Sequence, residues 1–310
     1  MTRDTRPPRK NKGDDRLAPR SERAAAFYDD KREPRDIRPW GDAEKKPARP
    51  PFKKPAGARA PQAPRGPSPF RRPSMELAIL YGYHAVREAL LSSRRKKMAL
   101  FCTDAAAEKL NGEIKAANIE VKIVSGDDLT HHLGRDAVHQ GVMLEARPLE
   151  PIDLSEIENK SGIILVLDQV TDPHNVGAIL RTAAAYNVDA IVTTERHSPD
   201  MSGVLAKAAS GGLEHVPVAS VVNLARALEE LGEMGYQRIG LDSEGPEALE
   251  KTPFMTPVAL VLGAEGKGLR RLSREKCDHL ARIDMPGPVK SLNVSNACAI
   301  ALTITRLKLG

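Results

Sequence analysis

The sequence predicts an α/β protein whose main body is a parallel sheet with helices on both faces, preceded by a smaller α/β unit and a long basic tail. Three observations carry this. From residue 162 onward, short continuous apolar runs alternate with amphipathic stretches, the pattern of strands covered on both faces. Residues 76–148 alternate in the same way over shorter elements. Residues 1–73 show no apolar period of either 3.6 or 2.

The tail separates from the rest by composition. Residues 1–73 carry 21 Lys and Arg against 10 Asp and Glu, together with 14 of the 24 prolines; the whole chain has a net charge of +6, so the remainder is net negative. Such a segment buries too little apolar surface to offset chain entropy, and residues 1–75 are expected to be disordered. Its cations suit phosphate backbones, and Phe27, Tyr28, Trp40, Phe52 and Phe70 suit stacking on unpaired bases. A solvated, dispensable extension has the same composition. A transit peptide fits poorly, because such peptides avoid acidic residues. Deleting residues 1–73 is expected to weaken nucleic-acid binding and to flatten its salt dependence. An unchanged slope of affinity against salt would refute the phosphate role.

In the smaller unit the pattern predicts a helix near Tyr83–Leu91, a strand near Lys97–Cys102, a helix near Ala105–Ala117 and a strand over Ile119–Val124. A short helix and a strand over Gly141–Ala146 complete it. Arg94, Arg95, Lys96 and Lys97 form its densest positive cluster, which reads equally as a phosphate contact or as a solvated turn. His84, His139 and Gln140 suit RNA contact, against the commoner structural histidine. A linker is expected over residues 149–161, marked by Pro148 and Pro151.

The main body, 162–310, reads as strands near Ile163–Leu167, Ala190–Thr194, His215–Val218, Arg238–Leu241, Val258–Leu262 and Leu280–Ile283. Helices fall between most of them, and a final helix runs from about Val294 to Lys308. Val294, Ala297, Ala301, Ile304 and Leu307 are its apolar positions, suited to a core or to a subunit interface. No apolar run reaches membrane-spanning length. Cys102, Cys277 and Cys298 lack Cys-x-x-Cys spacing, so neither a disulfide framework nor a zinc site is indicated, and a reducing cytoplasm is expected.

Chemistry concentrates in three segments. Leu167–Ala183 passes from a buried strand, ending at Asp168, through a polar turn into a helix. Pro173 stops the strand, Asn175 is placed to cap the helix, and Val176, Ile179, Leu180 and Ala183 form its buried stripe. Arg181 lies off that stripe, and Gly177, four residues earlier on its face, offers bare backbone for a ligand. The bland alternative makes Asn175 only a cap and Arg181 only a solvated surface residue. The second segment is Gly263-Ala-Glu-Gly-Lys-Gly268, a glycine-rich turn holding Glu265. The third, Pro286–Asn296, leads into the final helix.

Together these resemble the SpoU group (TrmH/RlmB-like) of the SPOUT RNA methyltransferases. Asp172-Pro-His-Asn-Val-Gly-Ala-Ile-Leu-Arg-Thr-Ala183 matches its first motif, Leu262–Gly268 its Leu-Gly-x-Glu-x-x-Gly turn, and Ser291–Ser295 its Ser-Leu-Asn-Val-Ser. Ile283-Asp284-Met285 departs from the usual Ile-Pro-Met. Upstream, Ile79–Leu90 and His139–Val142 resemble the substrate RNA-binding domain, ribosomal-protein L30e-like, of the RlmB-like branch.

The resemblance implies a SPOUT domain with a C-terminal trefoil knot and methyl transfer to a ribose 2′-hydroxyl. The implied donor is S-adenosylmethionine, held by Gly263, Gly266, Gly268, Ile283, Met285 and Leu292. It further implies catalytic roles for Arg181, Asn175, Glu265, Ser295 and Asn293, an RNA contact at Asn296, no metal, and a homodimer in which Arg181 reaches the partner's donor site. A guanidinium stays protonated, so Arg181 suits stabilising a developing alkoxide, or holding an RNA phosphate, better than acting as a base. Ser295 and Asn296 also suit capping of the last helix. Asp168, Asp172 and His174 stand second, His174 at a variable motif position.

The branch implied acts on a guanosine of 23S ribosomal RNA; a transfer RNA 2′-O-ribose methyltransferase is the alternative. A noncatalytic RNA-binding or assembly factor would keep the same fold. The glycines at 263, 266 and 268 reverse the order of the dinucleotide fingerprint, and no phosphate-loop G-x-x-x-x-G-K-[ST] run is present, which argues against oxidoreductase and ATPase readings.

Overall fold

Two sheets organise the described residues. The computed structural model describes residues 69–310 apart from 73, 197 and 202. The expectations for the tail, and for Phe27, Tyr28, Trp40 and Phe52, lie outside the described residues.

The first sheet has the order β1-β4-β2-β3, from β1 (Ala78–Tyr81), β2 (Lys97–Cys102), β3 (Val121–Ile123) and β4 (Val142–Ala146). Its helices are α1 (Tyr83–Leu91), α2 (Asp104–Lys109), α3 (Asn111–Ala117) and α4 (Gly126–Leu133). The single helix expected over 105–117 is two, broken at Leu110, whose buried side chain enters the core at a non-helical corner. β1 was not foreseen: four apolar residues carry no period that separates strand from helix. β3 keeps only three of the six residues expected.

The second sheet has seven strands, all parallel, in the order β7-β6-β5-β10-β8-β11-β9. These are β5 (Ile163–Asp168), β6 (Ala190–Thr194), β7 (Val218–Val221), β8 (Gln237–Leu241), β9 (Glu247–Ala248), β10 (Val258–Gly263) and β11 (His279–Arg282). Helices α5 (Pro173–Ala185), α6 (Gly203–Ala209), α7 (Gly212–His215), α8 (Leu224–Glu233), α9 (Arg271–Glu275) and α10 (Val294–Leu309) accompany them. The strand expected over His215–Val218 is corrected. His215 ends α7, and pairing begins only after Pro217, which has no N–H to give a ladder and offers its carbonyl to Ile191 N (2.9 Å).

Side chains alternate across the central strands. Ile163, Leu165, Leu167, Leu260 and Leu262 face one layer, with α5, α6 and α10; Ile164, Val166, Ala259 and Val261 face the other, with α8. Chain order runs outward from β5 through β6 to β7, then resumes beyond β10. The crevice outside the carboxyl ends of β5 and β10 is thus a topological switch point, where open parallel sheets take ligands.

The stretch expected as a linker is tied down: Ile152 bridges to Ala219, and Leu154 and Ile157 are buried against the second sheet. One apolar cluster also runs from Leu80, Val86 and Leu90 through Leu205 and Leu213 to Ile179 and Leu302, so the two sheets share a core. Arg95 crosses the same seam and corrects the reading of the basic cluster. Its side chain is fully buried, with Nη2 2.5 Å and Nε 3.1 Å from Glu214 Oε1 and Nη1 3.0 Å from the Arg147 carbonyl. Lys97 Nζ is spent on the carbonyls of Leu90 and Ser92, which leaves Lys96 and the partly engaged Arg94 exposed.

Phe70 is half-buried, its ring stacked on His132 (centroids 4.1 Å apart) and tilted to Phe101 (4.8 Å). His139 is structural. Its Nδ1 accepts from Gly141 N, its Nε2 meets Thr130 Oγ1, and burial pushes its pKa down.

Candidate active site

Four loops meet outside the carboxyl ends of β5, β10, β8 and β11. Three of them, with the start of α10, enclose a cavity of about 190 Å³, walled by Leu241, Leu262, Ile283, Met285 and Leu292 and rimmed by Gly263, Gly266 and Gly268. All six residues expected to hold a donor line it. Asp242 and Ser243, after β8, also line it; sequence reading passed over them because no motif marks the end of that strand. Glycine at 263 is obligatory, since a Cβ there would lie 2.1 Å from the Gly268 carbonyl carbon, where the turn folds onto itself through Gly268 N and Ala264 O (2.8 Å). Lys290 Nζ donates to the Met285 carbonyl (2.7 Å) and closes the loop opposite.

The turn is anchored beneath by Asp168. Its carboxylate, fully buried at the end of β5, accepts from Arg270 N (3.0 Å) and Nε (2.5 Å).

A second, polar cleft lies alongside, lined by Gln169–Asp172, Asn175, Lys267 and the same Ala264, Glu265 and Val294 that wall the first. A directional chain of hydrogen bonds crosses their shared wall. Ser295 Oγ donates to Asn293 Oδ1 (2.6 Å), Asn293 Nδ2 to Asn175 Oδ1 (2.8 Å), and Asn175 Nδ2 to Glu265 Oε2 (3.4 Å). Each amide is oriented by its neighbours, and the chain ends on a carboxylate whose other oxygen is left to accept. Asn175→Ala strands both the Asn293 donor and Glu265. Turnover is expected to fall about 10- to 100-fold with little change in donor affinity, because the half-buried Asn293 amide and the exposed Glu265 carboxylate lose the group that orients them; separate measurement of kcat and donor Kd checks it.

Two capping assignments are corrected. Asp172, not Asn175, caps α5, accepting from His174 N (2.9 Å), with Pro173 at its first position; Asn175 is thereby freed to face the cleft. Asn293, not Ser295 or Asn296, caps α10, accepting from Ser295 N (2.9 Å), and Asn296 is exposed. Gly177 is not a ligand platform: a Cβ there would meet Ala208 Cβ at 2.5 Å and the Leu205 carbonyl at 2.7 Å, so its bareness admits α6.

Arg181 is not brought into this cluster. It is exposed on α5, lines neither cavity, and stands six residues from Asn175, about 9 Å along the axis and a third of a turn around it. Burial pushes the Cys277 and Cys298 thiols up to about 12, so neither is a nucleophile at neutral pH. Among the described residues no group of His, Cys, Asp and Glu suits a metal ion, and no helix is long and apolar enough to cross a membrane.

An apolar, glycine-rimmed cavity thus shares one wall with a polar cleft, the arrangement that transfer of a group from a donor to an acceptor would require. Comparison with known proteins agrees. Residues 162–303 match the SpoU rRNA Methylase family, and residues 79–152 match the RNA 2′-O ribose methyltransferase substrate binding family. The chain is 38% identical over 233 residues to the 23S rRNA (guanosine-2′-O-)-methyltransferase RlmB of Yersinia pestis, covering 72% of this chain and 94% of that one. It is 40% identical over 232 residues to the protein of the same name from Ralstonia nicotianae, covering 72% and 93%. Among solved structures, a putative TrmH-family RNA methyltransferase from Porphyromonas gingivalis superposes with a TM-score of 0.61 at 26% identity, over 75% of this chain and 90% of that one. The fold is also that of AviRb from Streptomyces viridochromogenes in complex with AdoMet (TM-score 0.64, 22% identity, 75% and 90% covered). The chain belongs to the SpoU rRNA methylase family.

Proposed function

We propose that this protein methylates the ribose 2′-hydroxyl of a guanosine in 23S ribosomal RNA, with S-adenosylmethionine as donor. The carrying observation is the common wall of Ala264, Glu265 and Val294 between an apolar cavity and a polar cleft. The residues present fit the donor: Ile283, Met285 and Leu292 offer apolar faces for an adenine, and the 263–268 turn offers backbone groups close by. When bound, the donor supplies an electrophilic sulfonium methyl.

The acceptor must be oriented and its developing negative charge stabilised, because a ribose hydroxyl is barely acidic. The free oxygen of Glu265 accepts from a sugar hydroxyl, and the Ser295–Asn293–Asn175 chain holds that carboxylate in place. We assign Arg181 the electrostatic role in trans: in a homodimer its guanidinium reaches the partner's cleft, which accounts for its exposure within one chain. Ile300 and Leu307, exposed seven residues apart on α10, support a subunit contact there. The return of the chain after β11 to seat α10 on α5 and β10 supports the knotted C-terminus. Residues 76–148 then serve as the RNA-binding domain and 162–310 as the transferase domain. A ribosomal RNA substrate supports a cytoplasmic location.

The test is to map ribose methylation in ribosomal and transfer RNA from cells with and without the protein. Loss at one 23S guanosine is the expected result. Loss confined to transfer RNA would move the substrate, and no loss would favour a noncatalytic RNA-binding factor.

A further inference from the structure

Another cavity, about 260 Å³, opens in the first sheet where β1 and β2 end and β4 begins. Tyr83 and His84, at the start of α1, line it with rings 5.4 Å apart and nearly perpendicular (86°). Lys109 of α2 lines it as well, exposed and without an ion pair among the described residues. Ala105 and Lys109 share one helix face toward the cavity, whereas the acids of that helix, Asp104 and Glu108, share the next.

Gln140 completes the lining. Its Oε1 accepts from Tyr83 N (3.0 Å) and from Lys207 Nζ (2.8 Å), two groups that only donate, so the amide orientation is fixed and its nitrogen is left as the donor. The arrangement is built at some cost. Gln140 stands at φ 55°, a region that non-glycine residues seldom occupy. Lys207 passes so close to Gly82 that a Cβ there would lie 2.6 Å from its Nζ.

We propose that this cavity holds one unpaired nucleotide of the substrate RNA, its base against the Tyr83–His84 pair and on the Gln140 amide nitrogen, a flanking phosphate on Lys109. The inference rests on RNA being the substrate and adds where and how one of its nucleotides is read. Specific RNA recognition works largely through unpaired bases stacked on aromatic rings and hydrogen-bonded at their edges. An aromatic pair, an oriented amide and an unneutralised lysine supply those three contacts.

The test uses the full chain and a 23S rRNA transcript. Ultraviolet crosslinking followed by peptide mass spectrometry is expected to place a nucleotide on the Tyr83–His84 peptide. His84→Ala and Lys109→Ala, both at exposed positions, are each expected to raise the KM for the transcript about tenfold, the effect of one lost stack or phosphate contact, with kcat and S-adenosylmethionine affinity retained. Wild-type KM in both variants, or crosslinks to the first sheet only away from Tyr83–His84, would overturn the proposal. So would crosslinking of free UMP at that peptide without crosslinking of the transcript. If the transcript is bound but not methylated by the wild type, filter-binding Kd replaces KM: a tenfold loss in the variants then upholds the nucleotide pocket while refuting the proposed activity.

Discussion

Arg181→Lys is expected to lower turnover by about a hundredfold or more while leaving donor affinity near normal. Losing one preorganised donor to a developing oxyanion carries that magnitude. Lysine keeps the charge but not the planar fork, so the variant separates fixed geometry from mere positive potential. Near-normal turnover would remove Arg181 from the mechanism. Because Arg181 is exposed and lines neither cavity of its own chain, a complementation experiment locates its action. Arg181→Ala mixed with Gly263→Val, each inactive alone, is expected to recover activity through mixed dimers carrying one intact composite site. No recovery on mixing, with folded mixed dimers shown to form, would refute the role in trans.

Glu214→Ala is expected to destabilise the protein by about 3–5 kcal/mol, since it leaves the fully buried Arg95 guanidinium with only the Arg147 carbonyl. For a body of this size the melting temperature should fall by roughly 10 °C or more, read by calorimetry. The double variant Arg95→Met, Glu214→Leu removes both charges and is expected to recover most of the loss. A single variant that melts like the wild type would show that the pair carries no net stabilisation.

The sequence disclosed the site better than it disclosed the seam. Gly263–Gly268 and Ile283–Met285 were legible through their resemblance to the SpoU motifs, since side-chain identity alone leaves simple core packing open for Ile283, and they do line one cavity. Asn175 was placed correctly in space but given the wrong local job. Both Asp172 and Asn175 are good caps, and only Pro173, which favours the first helical position, decides between them. Arg95 was unreadable: a run of four cations looks solvated, and its carboxylate partner lies 119 residues away. Gly177 was misjudged for the same reason, as only the position of α6 tells whether bare backbone faces a ligand or another helix. Arg181 keeps its motif position but lies outside the cluster of its own chain, a separation for which the role in trans proposed above would account.

Lys207 and Glu214 belong to the second sheet's helices, yet they complete the setting of Gln140 and Arg95 in the first. The border along which one would cut the protein into interchangeable modules therefore does not coincide with the border between its sheets. A chimera that borrows residues 76–148 from a relative inherits a recognition surface whose fasteners remain in the host. Engineering a new target preference by module exchange accordingly requires α6 and α7 to be grafted along with it.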